Sequence, residues 1–221
     1  MKKSLGITVA LLVAALILPP AHAKVRISAG GQFGLNVSTL TSDAPNFDQG
    51  KKSRNGIMFG GLINFGFSDY ISLQPEVRYS MKGARFDYDA QDQYGNVVAV
   101  KETDKIDYME IPVYFKFSIP TGTLFTPDFF FGPVMGIKLS GKYEVKWAGG
   151  SEKGTIENLK SLDFGLGFGA GGRFAAGPGD AFLNILYNLG LSNLDDSGGQ
   201  YSIKNRCLTF AAGYAFRFKQ K

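Results

Sequence analysis

Cysteine is nearly missing from this 221-residue chain: Cys207 stands alone, so no disulfide scaffold can form. Histidine is scarcer still in effect. The one histidine, His22, lies in an N-terminal stretch that reads as an export signal, with basic Met1-Lys2-Lys3, an apolar run from Leu5 to Leu18, and Pro19-Pro20-Ala21-His22-Ala23 ending in an A-x-A pattern. A membrane anchor would need about 20 apolar residues, and this run stops at the proline pair. Cleavage after Ala23 is therefore predicted, and Lys24 in place of cysteine excludes a lipoprotein. The mature domain, 24–221, then contains no histidine. That removes Ser-His and Cys-His nucleophile activation and histidine-ligated metals together.

Charge of one sign is also in short supply. The chain has 24 Lys and Arg against 19 Asp and Glu; losing Lys2 and Lys3 leaves 22 against 19, a net of +3. So small a dispersed excess excludes a nucleic-acid partner. A 44% apolar fraction excludes a disordered chain. No mature segment approaches 18 consecutive apolar residues, and helical periodicity is scarcely visible.

What is present is alternation. Val25, Ile27, Ala29, Phe33, Leu35 and Val37 are separated by Arg26, Ser28, Gln32, Asn36 and Ser38, the period-two signature of a strand with one apolar face. Similar stretches fall at 57–67, 71–81, 108–119, 129–143, 162–174, 181–189 and 208–218. Eight strands are predicted. Their connections alternate in length: long at 39–55, 83–107, 147–160 and 192–202, short at 68–69, 120–126 and 175–180. Long connections at one end and short turns at the other are the layout of an up-and-down outer-membrane barrel, all-β, antiparallel and eight-stranded.

Orientation of the faces decides between membrane and water. Mid-strand polar positions carry ions of both signs. Parity assigns Arg26, Arg78, Lys116, Lys138, Arg173 and Arg217 with Glu76, Glu110 and Asp163 to the lumen, an excess of base. Aromatics gather where the short turns lie: Phe65, Phe67, Tyr70, Phe115, Phe117, Phe129, Phe131, Phe174, Phe216 and Phe218 are expected to form an interfacial girdle at the periplasmic side. The competing reading is a soluble periplasmic or secreted all-β binder with an apolar interior. A lipid-modifying outer-membrane enzyme is the third class, disfavoured by the missing histidine.

Several segments are also similar to the PorT-like outer-membrane β-barrel family of Bacteroidota. They are Gly31-Gln32-Phe33-Gly34-Leu35-Asn36, Ser72-Leu73-Gln74-Pro75-Glu76-Val77-Arg78-Tyr79-Ser80, Tyr108-Met109-Glu110-Ile111-Pro112-Val113, Phe131-Gly132-Pro133 and Tyr187-Asn188-Leu189-Gly190-Leu191. The resemblance implies a small OmpA/OmpX-like barrel and little about activity; a non-enzymatic structural or interaction platform is the reading taken, since the missing histidine disfavours an enzyme. The resemblance also implies partners: outer-membrane lipid, the barrel-assembly machinery during biogenesis, and a secretion or envelope protein. Tyr214-Ala215-Phe216-Arg217-Phe218 resembles an assembly signal, followed here by Lys219-Gln220-Lys221.

Sharper motifs dissolve on inspection. Gly167-Phe168-Gly169-Ala170-Gly171-Gly172 matches G-x-G-x-x-G, but no helix follows to face a pyrophosphate, so the glycines are one face of a strand that leaves room for large side chains opposite. Asp87, Asp89, Asp92, Asp195 and Asp196 lack calcium-loop spacing and read as solvated loop acids. No cofactor, metal or catalytic group is expected. Pro75, Pro112 and Pro133 interrupt three neighbouring strands at similar height, and a bulged, deformable patch is predicted there, with an open sheet edge as the rival.

Overall fold

The computed structural model describes residues 25–91 and 94–218. The predicted signal segment 1–23, Asp92 and the tail 219–221 lie outside the described residues. Nine strands form: β1 (Arg26–Ser42), β2 (Lys51–Gly66), β3 (Ile71–Gln91), β4 (Val97–Ser118), β5 (Phe125–Trp147), β6 (Gly150–Thr155), β7 (Leu162–Ala176), β8 (Gly179–Gly190) and β9 (Ile203–Arg217). All pairings are antiparallel. Sequential pairing from β1 to β5 continues through β5–β7, β7–β8 and β8–β9 and closes through β9–β1. Eight strands thus make a ring, and β6 is a short hairpin arm on the top of β5.

Closure answers the solvent. A strand within hydrocarbon has no water to satisfy its backbone, so only a sheet without edges is tolerated. The faces are inverted relative to a soluble barrel. Phe33, Leu35, Phe129, Leu183 and Ile185 point outward and are at least half exposed, while Gln32, Glu76, Arg78 and Glu110 point inward and are at most 5% exposed. The same period-two pattern therefore carries ions inside and hydrocarbon outside.

Predicted strand positions hold, but several strands are longer than expected. The apolar band ends near Val37, Ile57, Met81 and Leu189, and beyond it β3, β4 and β5 run on. Most of the supposed long connection 83–107 is a β3–β4 hairpin, paired without a break from Gly83↔Lys105 to Gln91↔Val97. On β3 its outward residues Arg85, Asp87, Asp89 and Gln91 are polar while Phe86 turns in against the plug, so the alternation reverses its sense while the ladder continues. Asp87 and Asp89 accordingly sit on β3, not in a loop.

The prolines give a second correction. Pro75 faces Val113, Pro112 faces Val134 and Pro133 faces Leu166, so the three lie within a residue row of one another. No residue is inserted there. Register is unchanged across each gap, and the irregularities fall elsewhere, between Ser53 and Met58 on β2 and at Leu139 on β5. Proline removes a donor without lengthening the strand, so pairs are lost while register holds. The ladders lack the pairs between Pro75 and Arg78 on β3 and between Pro112 and Phe115 on β4. The β1–β9 ladder, by contrast, is unbroken over fifteen pairs. In hydrogen exchange on micelle-embedded protein, the amides of Glu76 and Val113, which point at the missing pairs, are expected to exchange at least about tenfold faster than those of Phe33 to Val37; equal protection would contradict the weakened patch.

Candidate functional site: the lumen, its plug and its vestibule

Eight strands enclose a space that side chains nearly fill. The β7 wall creates the room they need. Gly165, Gly167, Gly169 and Gly171 face inward, and a Cβ on Gly167 would stand 2.8 Å from the Tyr114 ring, while one on Gly169 would stand 2.7 Å from Phe130. Large aromatic side chains from β4 and β5 thus rest on a wall without side chains. Tyr114 and Phe130 pack with Met58, Val134, Leu186 and Ala211 as one apolar cluster of the interior.

Beside that cluster lies a buried ionic network. Arg78 Nε donates to Glu110 at 2.8 Å, and Arg78 Nη1 lies 3.4 Å from Glu76. Lys82 also pairs with Glu110. Gln32 and Gln74 donate to the two Glu76 oxygens at 2.6 and 2.8 Å, and Asn188 donates to Glu110 at 3.2 Å. Each charge is thus met by an opposite charge, and both carboxylates also accept from side-chain amides, the condition under which buried ions are tolerated.

Nearer the short turns, Lys116 Nζ lies 3.0 Å and Arg173 Nε 3.4 Å from Asp128 Oδ2, while Ser118 donates to Asp128 Oδ1 at 2.6 Å. Arg173 also donates to Ser118 Oγ. This group floors a cavity of about 410 Å³ that opens at the short-turn end. Arg26 and Arg217 stand on its rim, paired with Asp69 and Asp180, both at 2.6 Å.

The opposite end is shut. Leu40, Ala84, Ile106, Tyr108, Leu159 and Leu194 form a buried apolar plug, with Phe47, Phe86, Ile156 and Ile203 against it. Leu159 and Leu194 come from the two connections flanking β7 and β8, whose backbones bridge at Leu159↔Asp195. Beneath the plug, Asp163 accepts from Asn205 and Ser192, both at 2.8 Å.

Of the nine charges assigned to the lumen by parity, Glu76, Arg78, Glu110, Lys116, Asp163 and Arg173 line the interior. Arg26 and Arg217 sit on the exposed rim. Lys138, half-buried, donates to the backbone carbonyl of Leu159. Lys82 and Asp128 were not among the nine: Lys82 was read on the polar face but lay just past the predicted strand end, and Asp128 lay just before one. With them, the fully buried ions among the described residues are Arg78, Lys82 and Lys116 against Glu76, Glu110, Asp128 and Asp163, so the expected basic excess does not hold there. Cys207 is buried, its thiol 3.6 Å from Thr209 Oγ1. Of the aromatic set, Tyr70, Phe117, Phe129, Phe131, Phe174, Phe216 and Phe218 are exposed, while Phe65, Phe67 and Phe115 are half-buried. Phe117 stacks on Phe131 at 6.2 Å, and Phe125 meets Phe174 at 4.9 Å. No group of ligating side chains able to hold a metal occurs among the described residues.

Two expectations follow. Glu110→Gln strands two buried cations and should cost about 3–5 kcal/mol in unfolding free energy, while Glu110→Gln with Lys82→Met costs less; urea unfolding in micelles measures both, and an unaltered single variant would contradict the network. Asp104, on the plug side of β4, lines a cavity with Leu40, Ile106 and Leu194. Burial, then nearby Glu102, push its carboxyl from the ordinary 3.8 up to about 6. Between those values the native state holds the extra proton, so plug stability falls as pH rises from about 4 to about 6. Asp195, in the same cavity, is held low by hydrogen bonds from Ser197 and titrates beneath that window. Asp104→Asn should flatten the dependence, read by Trp147 fluorescence during urea unfolding; an unchanged pH slope in the variant would contradict the assignment.

Neisserial surface protein A superposes with a TM-score of 0.49 at 14% identity, covering 87% of this chain and 97% of that one. OprG from Pseudomonas aeruginosa gives 0.45 at 11%, covering 90% and 98%. Ail of Yersinia pestis, solved in complex with the heparin analogue sucrose octasulfate, gives 0.41 at 17%, covering 86% and 99%. No curated protein matches significantly. The family described as outer membrane protein beta-barrel domain matches residues 21–196. The chain therefore belongs to that family and is an outer-membrane β-barrel.

Proposed function

We propose that this chain is a PorT-like, non-enzymatic outer-membrane platform that conducts nothing and engages an envelope partner, of which secretion machinery is the favoured kind. One observation carries the reading: the interior is filled by a network of paired charges and sealed above it by the Leu159–Leu194 plug, while the other end keeps an open vestibule. A wide pore would leave the lumen wet and the plug absent. In this reading the short turns and the vestibule face the periplasm, and the extended strands stand outside the cell. The exposed rings of Tyr70, Phe117, Phe174, Phe216 and Phe218 serve as the periplasmic girdle. Lipid surrounds the band, and the assembly machinery acts only during biogenesis.

Support for a platform comes from shape. The β3–β4–β5–β6 sheet rises well above the apolar band, and its inner face is braced by the plug. Planar-bilayer recording of the purified barrel is expected to give no steady conductance at either polarity. Persistent open-channel current from the unmodified chain would overturn the reading.

A further inference from the structure

The outward face of the extended sheet is built against its own charge. On this pleat Lys52 stands directly opposite Arg85, Lys101 opposite Lys146, and Lys105 opposite Lys142. Directly opposed residues of like charge, about 5 Å apart at Cβ, destabilise a sheet. Three such pairs occur on one face. With Lys153 the face carries seven cations, against Asp87, Asp89, Asp107 and Glu144, a difference of three. The acids present are overcommitted: Glu144 contacts Lys105, Lys146 and Lys153, and Asp87 contacts Lys52 and Arg85. Lys146 and Lys153 remain 60% and 70% exposed.

Position identifies what is missing. The pleat alternates without interruption on β3 and β4, so Arg85 continues the row of Val77, Tyr79 and Met81, and Lys105 continues that of Phe117, Phe115 and Met109. On β5, the extra residue Leu139 resets the alternation and turns Lys142, Glu144 and Lys146 outward. The basic face therefore looks sideways over the membrane, not up into solvent along the barrel axis. Met81 pairs with Asp107, so Lys105 lies two residues further along the strand, and with the usual tilt of about 40° that is roughly 5 Å higher, while Lys101 is roughly 15 Å higher. These are heights for lipid headgroups and for the sugars attached to them.

We infer that this face binds the phosphate groups of outer-leaflet glycolipids, with each opposed cation pair bridged by one phosphate. Bridging removes the like-charge penalty that the protein's own acids leave uncompensated. The inference rests on placing the long-connection end outside the cell, which is read separately: Ser151→Cys should react with a membrane-impermeant maleimide on intact cells.

Binding is tested with the purified full-length barrel in micelles, titrated with bisphosphorylated lipid A, dephosphorylated lipid A, phosphatidylglycerol and soluble heparin. Bisphosphorylated lipid A is expected to bind best. The triple variant K101Q/K142Q/K146Q should weaken it on the order of 10- to 100-fold at low salt, given about 1 kcal/mol per basic residue near an anionic surface. The triple arginine variant should retain binding. Equal binding of dephosphorylated lipid A, stronger binding of phosphatidylglycerol or heparin, or indifference to the glutamine variant would each overturn the inference. An unlabelled Ser151→Cys with intact lipid A binding would instead overturn the orientation.

Discussion

Backbone hydrogen bonding in hydrocarbon is the constraint on which everything else in this molecule depends. A chain without a long apolar helix can cross a bilayer only as a closed sheet, because each unpaired N–H or C=O would cost several kcal/mol. Closure with eight strands then fixes the interior width, and the width dictates its contents. A narrow lumen lined by alternate residues of every strand must be filled, and its polar members must satisfy one another. The glycine face of β7, the aromatic rings resting on it, and the Arg78–Glu110–Lys82 group answer that one requirement.

The two ends of the ring are treated differently. At the short turns the strands stop where the apolar band stops, and the vestibule stays open with its rim charges paired. At the other end β3, β4 and β5 outrun the band, gain a fourth strand in β6, and fold two connections over the mouth. Residues that would face lipid lower down become lysines, arginines and acids with no change in strand geometry on β3 and β4. A change of solvent along a single strand, not a change of secondary structure, marks the membrane boundary.

Legibility in the sequence followed that division. Within the band, alternation of apolar and ionic residues located all eight ring strands and placed Glu76, Arg78, Glu110 and Lys116 on the interior face. Above the band the contrast on β3 reverses, apolar residues inward and polar ones outward, and on β4 both faces are mixed, so the strand extensions were read as loop. Lys82, at the edge of the band, was read on the polar face of its strand but not counted among the lumen charges. Asp128 escaped because β5 begins at Phe125, in a segment read as turn. The plug was invisible for another reason: Leu40, Leu159 and Leu194 are isolated apolar residues far apart in the chain, and only closure brings them together. The bulge expected at the prolines failed because a missing donor and an inserted residue leave the same mark in a sequence but not in a register.

Inversion of the two faces is the central claim, and spin labels placed one at a time from Phe182 to Leu186 on β8 test it most directly in lipid bilayers. Collision with membrane-dissolved oxygen should be high at Leu183 and Ile185 and low at Phe182, Asn184 and Leu186, a strict alternation. Oxygen contact highest at Asn184 and Leu186, or a water-soluble relaxer reaching Leu183 and Ile185, would contradict it.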